Sequence, residues 1–144
     1  MKGPLIKRVG IIGAGKIVED IHLPILRNIK GIRVSWISDI DKDRLKLISK
    51  MYQVPSLLTP QAICELNQVD LCLIATPLGT RQSYLEACAQ AGIAVYAEKP
   101  FAEDVAQHQY YCSLFPDDSL AAGFQKRFYQ TTSIIREIVK TQIF

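Results

Sequence analysis

The stretch from Val9 to Val18 constrains the fold of this 144-residue chain more than any other segment. An apolar run, residues 9–12, leads into a turn that contains Gly13 and Gly15, and a helical pattern follows directly. The first glycine permits a tight turn, and the second lets a phosphate approach the backbone without meeting a Cβ atom. A strand, a turn and a helix of this kind can hold the pyrophosphate of a dinucleotide at the helix N-terminus.

The glycine pattern by itself is incomplete. The third position of the G-x-G-x-x-G fingerprint holds Val18 instead of glycine or alanine. A glycine turn that merely joins a strand to a helix therefore stays open as an alternative until the rest of the chain is considered.

Apolar runs alternate with helical patterns along the whole chain, and the connections between them are short. The pattern predicts strands at 7–12, 32–38, 54–57, 69–75, 93–97 and 119–124, and helices at 16–29, 41–51, 59–66, 80–91, 103–114 and 131–143. This alternation predicts an α/β fold, a Rossmann-type doubly wound parallel sheet with helices on both faces. The expected strand order is 3-2-1-4-5-6, with the ligand cleft beside strand 1.

Composition argues against several classes of protein. Hydrophobic residues make up 49% of the chain, which fits a packed core, and the net charge of +3 comes from dispersed basic residues. We therefore expect no nucleic-acid partner. No apolar run approaches the ~18–20 residues of a membrane span. Residues 1–8 lack the apolar stretch of a signal peptide. A cytoplasmic protein without a membrane partner is the expectation.

The cysteines favour a reduced protein without a metal site. They stand at Cys64, Cys72, Cys88 and Cys112, each within an apolar stretch, and none forms a C-x-x-C pair. We expect them to be mostly buried as small hydrophobic side chains. The two histidines, His22 and His108, are far apart in sequence, so no metal ligand set is predicted.

Asp39 ends the second predicted strand, 24 residues after Gly15. A carboxylate there can accept hydrogen bonds from the ribose hydroxyls of NAD and would repel the 2′-phosphate of NADP. Position 40 is Ile40, so no arginine follows directly. The alternative is that Asp39 or Asp41 caps the next helix. We assign ribose binding to Asp39 and capping to Asp41, because Asp39 directly follows the apolar strand.

Two further segments follow the fourth and fifth predicted strands, at the edge that lines the crevice of a doubly wound sheet. Thr76 and Pro77 come after strand 4, and Glu98, Lys99 and Pro100 come after strand 5. A lysine beside a dinucleotide can polarise a carbonyl or relay a proton to a hydroxyl. An ordinary proline turn and a solvated Glu–Lys pair are the alternatives for the two segments.

Together these segments resemble the Gfo/Idh/MocA oxidoreductases, the relatives of glucose–fructose oxidoreductase and inositol dehydrogenase. The resemblance covers nearly the whole chain, and the Glu-Lys-Pro signature after an Ala-Thr-Pro turn is its most specific part. The matching segments are 10–17, His22-Leu23-Pro24, Asp39, Ile74-Ala75-Thr76-Pro77, Ala91-Gly92, Glu98-Lys99-Pro100 and 122–128.

The resemblance implies NAD(P)-dependent hydride transfer, commonly to or from a hydroxyl or carbonyl of a sugar or cyclitol. It implies that Lys99 is catalytic, beside the nicotinamide, and that Lys99–Pro100 is a cis bond. Arg127 matches an arginine on the substrate side, with a solvated Lys126–Arg127 pair as the alternative. The predicted cofactor-binding residues are Gly13, Gly15, Lys16, Ile17, Asp39, Thr76, Pro77, Glu98 and Lys99.

The sequence also departs from the resembling family. Val18 replaces a small residue, Leu78 stands where asparagine is frequent, and Arg81 stands where histidine is frequent. The last two lie beside the expected cofactor cleft. His22 matches a frequent family histidine, for which a structural role is favoured over a catalytic one.

Relatives of this kind carry a second α/β domain that holds the substrate and mediates most oligomer contacts. We therefore expect residues 1–124 to be an NAD(P)-binding domain and 125–144 to be a connecting segment and helix that lead to such a domain. On this expectation the 144 residues fold alone, bind dinucleotide weakly and catalyse nothing. The alternatives are a stand-alone module that binds or senses a dinucleotide, and a methyltransferase, against which Glu98-Lys99-Pro100 argues.

Overall fold

In the computed structural model, which describes residues 6–141 except for the side chains of residues 60 and 61, six parallel strands form one sheet. The strands pair in the order β3-β2-β1-β4-β5-β6, so the predicted fold class and strand order are confirmed. Their bounds are β1 (Lys7–Ile12), β2 (Ile32–Asp39), β3 (Ser56–Leu58), β4 (Leu71–Ile74), β5 (Ala94–Ala97) and β6 (Leu120–Ala122).

Helices connect the strands and cover the sheet. They are α1 (Leu23–Asn28), α2 (Lys42–Tyr52), α3 (Thr59–Cys64), α4 (Arg81–Gln90), α5 (Val105–Ser113) and α6 (Gln130–Lys140). Short 3₁₀ turns lie at Leu66–Gln68, Leu78–Thr80 and Gln125–Phe128. β1 has the predicted bounds, and each of the other predicted elements is present with one or both ends shifted. The predicted end of the last helix, at 143, lies outside the described residues.

The segment predicted as a helix over 16–29 is not one regular helix but consists of two parts that meet beside Pro24. A π-helical turn, Val18–His22, precedes α1, and the Leu23 N–H donates to the carbonyl of Val18. Proline has no N–H with which to continue the ordinary ladder. Single π turns inside helices are often found at functional sites. Val18, the departure from the fingerprint, is fully buried in this turn.

Alternate residues of the central strands β1, β2, β4 and β5 pack into two apolar clusters, one on each face of the sheet. Trp36 packs with α3, α4 and α5 on one face, and Ile37 packs with α1 and α2 on the other. Trp36 is 2% exposed. Tyr110 is 42% exposed, whereas its neighbour Tyr111 is 1% exposed. Its ring stacks edge-on against Phe101, with ring centroids 5.6 Å apart.

The cysteines also differ in part from expectation. All four thiols are free; Cys72 and Cys88 are buried, whereas Cys64 and Cys112 are exposed. Cys64 is the last residue of α3, and Cys112 lies near the end of α5. Although each stands in an apolar stretch of the sequence, both side chains lie on the solvent side of their helix. The prediction that the cysteines are mostly buried therefore holds for only half of them.

At least two apolar surfaces in the described part of the chain remain open to solvent. One is a cavity of about 730 Å³ on the face of β1, β4 and β5 beside α1, with Ile17, Leu73 and Tyr96 in its lining. Another is one side of α6, where Ile134 and Ile135 are exposed. Within residues 6–141 no helix has the length and apolar character to cross a bilayer.

Candidate functional site

The carboxyl ends of the central strands bring the predicted cofactor residues to one edge of the sheet. Backbone hydrogen bonds extend the pairing just past the strands. Gly13 N–H donates to Ser38 O at 2.7 Å, and Glu98 N–H donates to Ile74 O at 2.9 Å. The glycine turn, Asp39 and the segments after β4 and β5 therefore follow neighbouring strands at a common edge.

The two glycines of the turn serve different geometrical needs. Gly13 has a φ of +103°, and a Cβ atom there would lie 2.5 Å from the backbone oxygen of Ala75. At Gly15 a Cβ atom would meet nothing within 4 Å. The Gly15 carbonyl accepts the first helical bonds, from Val18 N–H at 3.1 Å and Glu19 N–H at 3.2 Å. The turn thus needs glycine at 13 to form, whereas glycine at 15 leaves open space at a helix N-terminus.

Asp39 is held rigidly at the end of β2. Its Oδ2 accepts the Ala14 N–H at 2.6 Å, and its Oδ1 accepts the Asp41 N–H at 2.9 Å. Each carboxylate oxygen retains a further lone pair for a ligand. Asp41 caps α2 by accepting the Arg44 N–H at 3.0 Å, so the predicted cap is confirmed.

Arg44 also belongs to this region, although it was not among the predicted site residues. Its Nε donates to the carbonyl of Ala14 at 2.8 Å, and its Nη2 donates to Glu19 Oε2 at 2.5 Å. No cation follows Asp39 directly in the sequence, but in the folded chain Arg44 lies close to it. Both Arg44 and Asp39 form hydrogen bonds with the backbone of Ala14. A basic residue in the first turn of the helix after β2 could have been the signal.

Lys16 and Ile17, the first two residues after the glycine turn, are both exposed. Lys16 Nζ lies 3.0 Å from Asp20 Oδ1, and this hydrogen bond raises the pKa of Lys16. Ile17 lines the 730 Å³ apolar cavity. The structure thus places both residues directly after the glycine turn, with Lys16 paired to a carboxylate of its own helix.

Thr76 and Arg81 form the wall after β4. Thr76 Oγ1 is buried and has no hydrogen-bond partner within the described part of the chain. The Arg81 side chain is 3% exposed, and its Nε and Nη2 donate to the Thr76 carbonyl at 3.0 and 2.7 Å. Its Nη1 donates to the carbonyls of Glu98 and Pro100. Pro77 is exposed and Leu78 is half-buried in the 3₁₀ turn that follows.

Glu98 is 7% exposed, and its side chain points inward. Its Oε1 lies 2.8 Å from His22 Nε2, and its Oε2 accepts the Lys99 N–H at 3.1 Å. The rings of His22 and Tyr96 meet edge-on, 5.7 Å apart. Desolvation, and then the Glu98 carboxylate, raise the pKa of Tyr96. The partly buried His22–Glu98 pair therefore links the π-helical turn before α1 to the end of β5.

Lys99 follows this pair, and the bond between Lys99 and Pro100 is cis, as the resemblance implies. The lysine side chain is exposed and lines a cavity of about 420 Å³ that Phe124 and Arg127 also line. The Arg127 guanidinium lies 5.5 Å from the centre of the Phe124 ring. The structure thus brings the predicted catalytic and substrate-side residues to one cavity.

Nothing in the described residues 6–141 gathers three or more histidine, cysteine or acidic side chains into a metal-binding group. The ionisable side chains at this edge of the sheet include Lys16, Lys99, Asp39, Glu98, His22, Arg44 and Arg81.

A family model described as oxidoreductase family, NAD-binding Rossmann fold, matches residues 7–122. The chain belongs to this Gfo/Idh/MocA family. The match spans all six strands and every predicted cofactor-binding residue. It agrees with the resemblance seen in the glycine turn and the Glu-Lys-Pro segment.

The curated proteins to which the chain is similar include several dehydrogenases. The chain is similar to myo-inositol 2-dehydrogenase of Thermotoga maritima, with 29% identity over 136 residues, 92% of this chain and 40% of the relative. It is also similar to inositol 2-dehydrogenase 4 of Saccharopolyspora erythraea, with 33% identity over 98 residues, 67% of this chain and 29% of the relative. The chain thus spans well under half the length of these relatives.

Solved structures show the same fold. The scyllo-inositol dehydrogenase of Lactobacillus casei superposes with a TM-score of 0.80 and 19% identity, over 97% of this chain and 43% of that one. At this identity the likeness establishes the fold alone.

Proposed function

We propose that the chain is the cofactor-binding unit of an NAD-dependent oxidoreductase that acts on a hydroxyl or carbonyl group of a sugar or cyclitol. The observation that carries the proposal is the open space at Gly15, on the same sheet edge as Asp39 and Lys99. The unpartnered Thr76 Oγ1 supports it, because a buried hydroxyl ordinarily finds a partner. The names of the similar dehydrogenases support the substrate class.

The proposed cofactor site divides into three parts. Gly13, Gly15, Lys16 and Ile17 surround the pyrophosphate, where the backbone N–H groups at the helix N-terminus face a negative charge. Asp39 accepts hydrogen bonds from the adenosine ribose hydroxyls. The nicotinamide side is lined by Thr76, Pro77, Glu98 and Lys99.

The chemistry is proposed to divide between cofactor and protein. NAD, when bound, supplies the site that accepts or returns a hydride. The Lys99 side chain holds or moves the proton at the substrate oxygen, which is general acid–base catalysis. Glu98 and His22 do not reach the substrate in this proposal. Glu98 Oε2 accepts the Lys99 N–H at 3.1 Å and so fixes the backbone that carries Lys99. His22 holds the Glu98 carboxylate through the other oxygen.

Selectivity for NAD over NADP follows from the charges around Asp39. A 2′-phosphate would meet the Asp39 carboxylate. Arg44 does not offset this repulsion, because its guanidinium is already engaged by Glu19 and by the carbonyl of Ala14.

The remaining parts of the protein's function are proposed on the resemblance. Residues 1–124 are the cofactor domain, and 125–144 connect it to a second α/β domain, which meets the cavity lined by Lys99 and Arg127. That domain holds the substrate and mediates any homo-oligomer. A cytoplasmic location is consistent with four free thiols.

The test is titration of the ¹⁵N-labelled chain with NADH and NADPH, observed by NMR so that weak binding is measurable. We expect the wild type to bind NADH more tightly than NADPH. Asp39→Ala is expected to narrow this difference in affinity, and the double variant Asp39→Ser with Ile40→Arg is expected to reverse it. Tighter binding of NADPH by the wild type would refute the assignment of Asp39. Binding of neither nucleotide would refute the proposed function.

A further inference from the structure

Arg81 is a buried charge held by backbone alone. Its side chain is 3% exposed at the start of α4, and no ion pair within residues 6–141 includes it. Burial lowers the pKa of Arg81, and the nearby Glu98 carboxylate opposes that effect. Removing a guanidinium from water costs several kcal/mol unless hydrogen bonds replace the lost hydration. A residue kept here at that cost calls for an explanation.

The hydrogen bonds of Arg81 go to two separate segments. Nε and Nη2 donate to the carbonyl of Thr76, which follows β4, at 3.0 and 2.7 Å. Nη1 donates to the carbonyls of Glu98 and Pro100, which follow β5. These last two residues flank Lys99 in the chain. One guanidinium thus joins the segment with the unpartnered Thr76 hydroxyl to the segment that carries the exposed lysine.

A planar guanidinium suits this task. It offers five N–H donors in a fixed fork, so it can bind carbonyls of two segments at a set separation. A lysine ammonium keeps the charge but has three donors on one atom and no fixed plane. Replacing arginine by lysine therefore removes the geometry of the connection and retains its charge.

We propose that Arg81 is a positioning residue that fixes the distance between the Thr76 and Lys99 segments and thereby shapes the nicotinamide side of the cofactor site. Its side-chain hydrogen bonds within residues 6–141 go only to backbone carbonyls, so it acts through these segments and not on the reacting atoms. This inference rests on the proposed function and extends it to a position where the sequence departs from the family pattern.

The experiment compares two ligands on the ¹⁵N-labelled chain by NMR titration. NADH spans the whole proposed site, whereas AMP reaches only the side near Asp39. Arg81→Lys is expected to weaken NADH binding about 10-fold or more and to leave AMP binding within about 2-fold. Arg8→Lys is the matched control. Arg8 pairs with Asp70 at the opposite end of β1, with Nη2 3.2 Å from Oδ1, so binding of both ligands is expected to be unchanged.

Each outcome bears on the proposal. Unchanged NADH binding in Arg81→Lys overturns it, and so does an equal loss of NADH and AMP binding, which would indicate a general effect on the fold. If Arg81→Lys does not fold, Arg81→Gln, which keeps a planar amide donor without the charge, is measured in the same way. A wild-type chain that binds AMP but not NADH refutes the proposed function itself, and a chain that binds NADH normally in both Arg81 variants refutes only the role of Arg81.

Discussion

Replacing Gly15 by alanine is expected to separate the stability of the glycine turn from its ability to bind a cofactor. A Cβ atom at Gly15 meets nothing within 4 Å, and its backbone lies outside the positive-φ region that disfavours side chains. Alanine restricts the unfolded chain more than glycine does, which stabilises a compatible site by about 0.4–1 kcal/mol. For a chain of this size we expect Tm to rise by about 1–4 °C.

The same methyl group would occupy the space proposed for the pyrophosphate. We therefore expect NADH to bind Gly15→Ala at least ~10-fold more weakly, which corresponds to about 1.4 kcal/mol of lost binding free energy. The variant would then be as stable as the wild type, or more so, and deficient only in binding.

Gly13→Ala provides the contrast. Its Cβ atom would lie 2.5 Å from the Ala75 oxygen, and its φ is +103°. Backbone strain of this kind costs on the order of 1–3 kcal/mol, before any shift of β4 is counted. We expect Tm to fall by about 2–12 °C. Both variants lose binding, but only this one loses stability.

The assay pairs thermal unfolding, followed by circular dichroism, with NMR titration of NADH. Wild-type affinity in Gly15→Ala would show that the phosphates lie elsewhere and would refute the assignment of the turn. A clear drop of Tm in the same variant would show that the space at Gly15 is needed by the fold. A Gly13→Ala chain as stable as the wild type would refute the steric reasoning.

Three further outcomes are expected. Lys99→Met should change NADH affinity less than about 3-fold but lower kcat about 100-fold in an active form of the protein, and normal turnover would remove Lys99 from the mechanism. The hydrogen bond from Arg8 lowers the pKa of Asp70, so the ion pair stabilises the fold at neutral pH and is lost as acid protonates the carboxylate. Asp70→Asn should therefore lower Tm at pH 7. The Tm values of the variant and the wild type should converge as the pH falls below the ordinary carboxyl pKa of about 3.9. A difference in Tm that does not depend on pH would contradict this. Iodoacetamide should modify the two exposed cysteines of the native chain and reach Cys72 and Cys88 only in denaturant, because both of these thiols are buried. The hydrogen bond with Cys88, and then burial, also raise the pKa of Cys72. Mass spectrometry of labelled peptides checks this.

Much of the fold could be predicted because its signals are local. Alternation of apolar strands with helical patterns, and the handedness of parallel crossovers, were enough for the strand order. Asp41 could be recognised as a cap because a cap bonds a residue three positions away. The ends of β4 and β6 could not be predicted well, because a strand ends where its neighbour stops pairing, and apolar composition does not contain that information.

The architecture, and the edge of the sheet where the predicted ligand-binding residues collect, could therefore be inferred from the sequence. How the polar groups at that edge pair depends on the packing of the folded chain. Glu98 meets His22 across 76 positions of the chain, and Arg81 joins the segments that follow two different strands. Arg44 bonds the turn after β1 from α2, and its place in the first turn of that helix does not by itself say which group it meets. The physical reason is that apolar burial follows periodicity along the chain, whereas a buried charge pairs with whichever donor or carbonyl the packed elements place beside it.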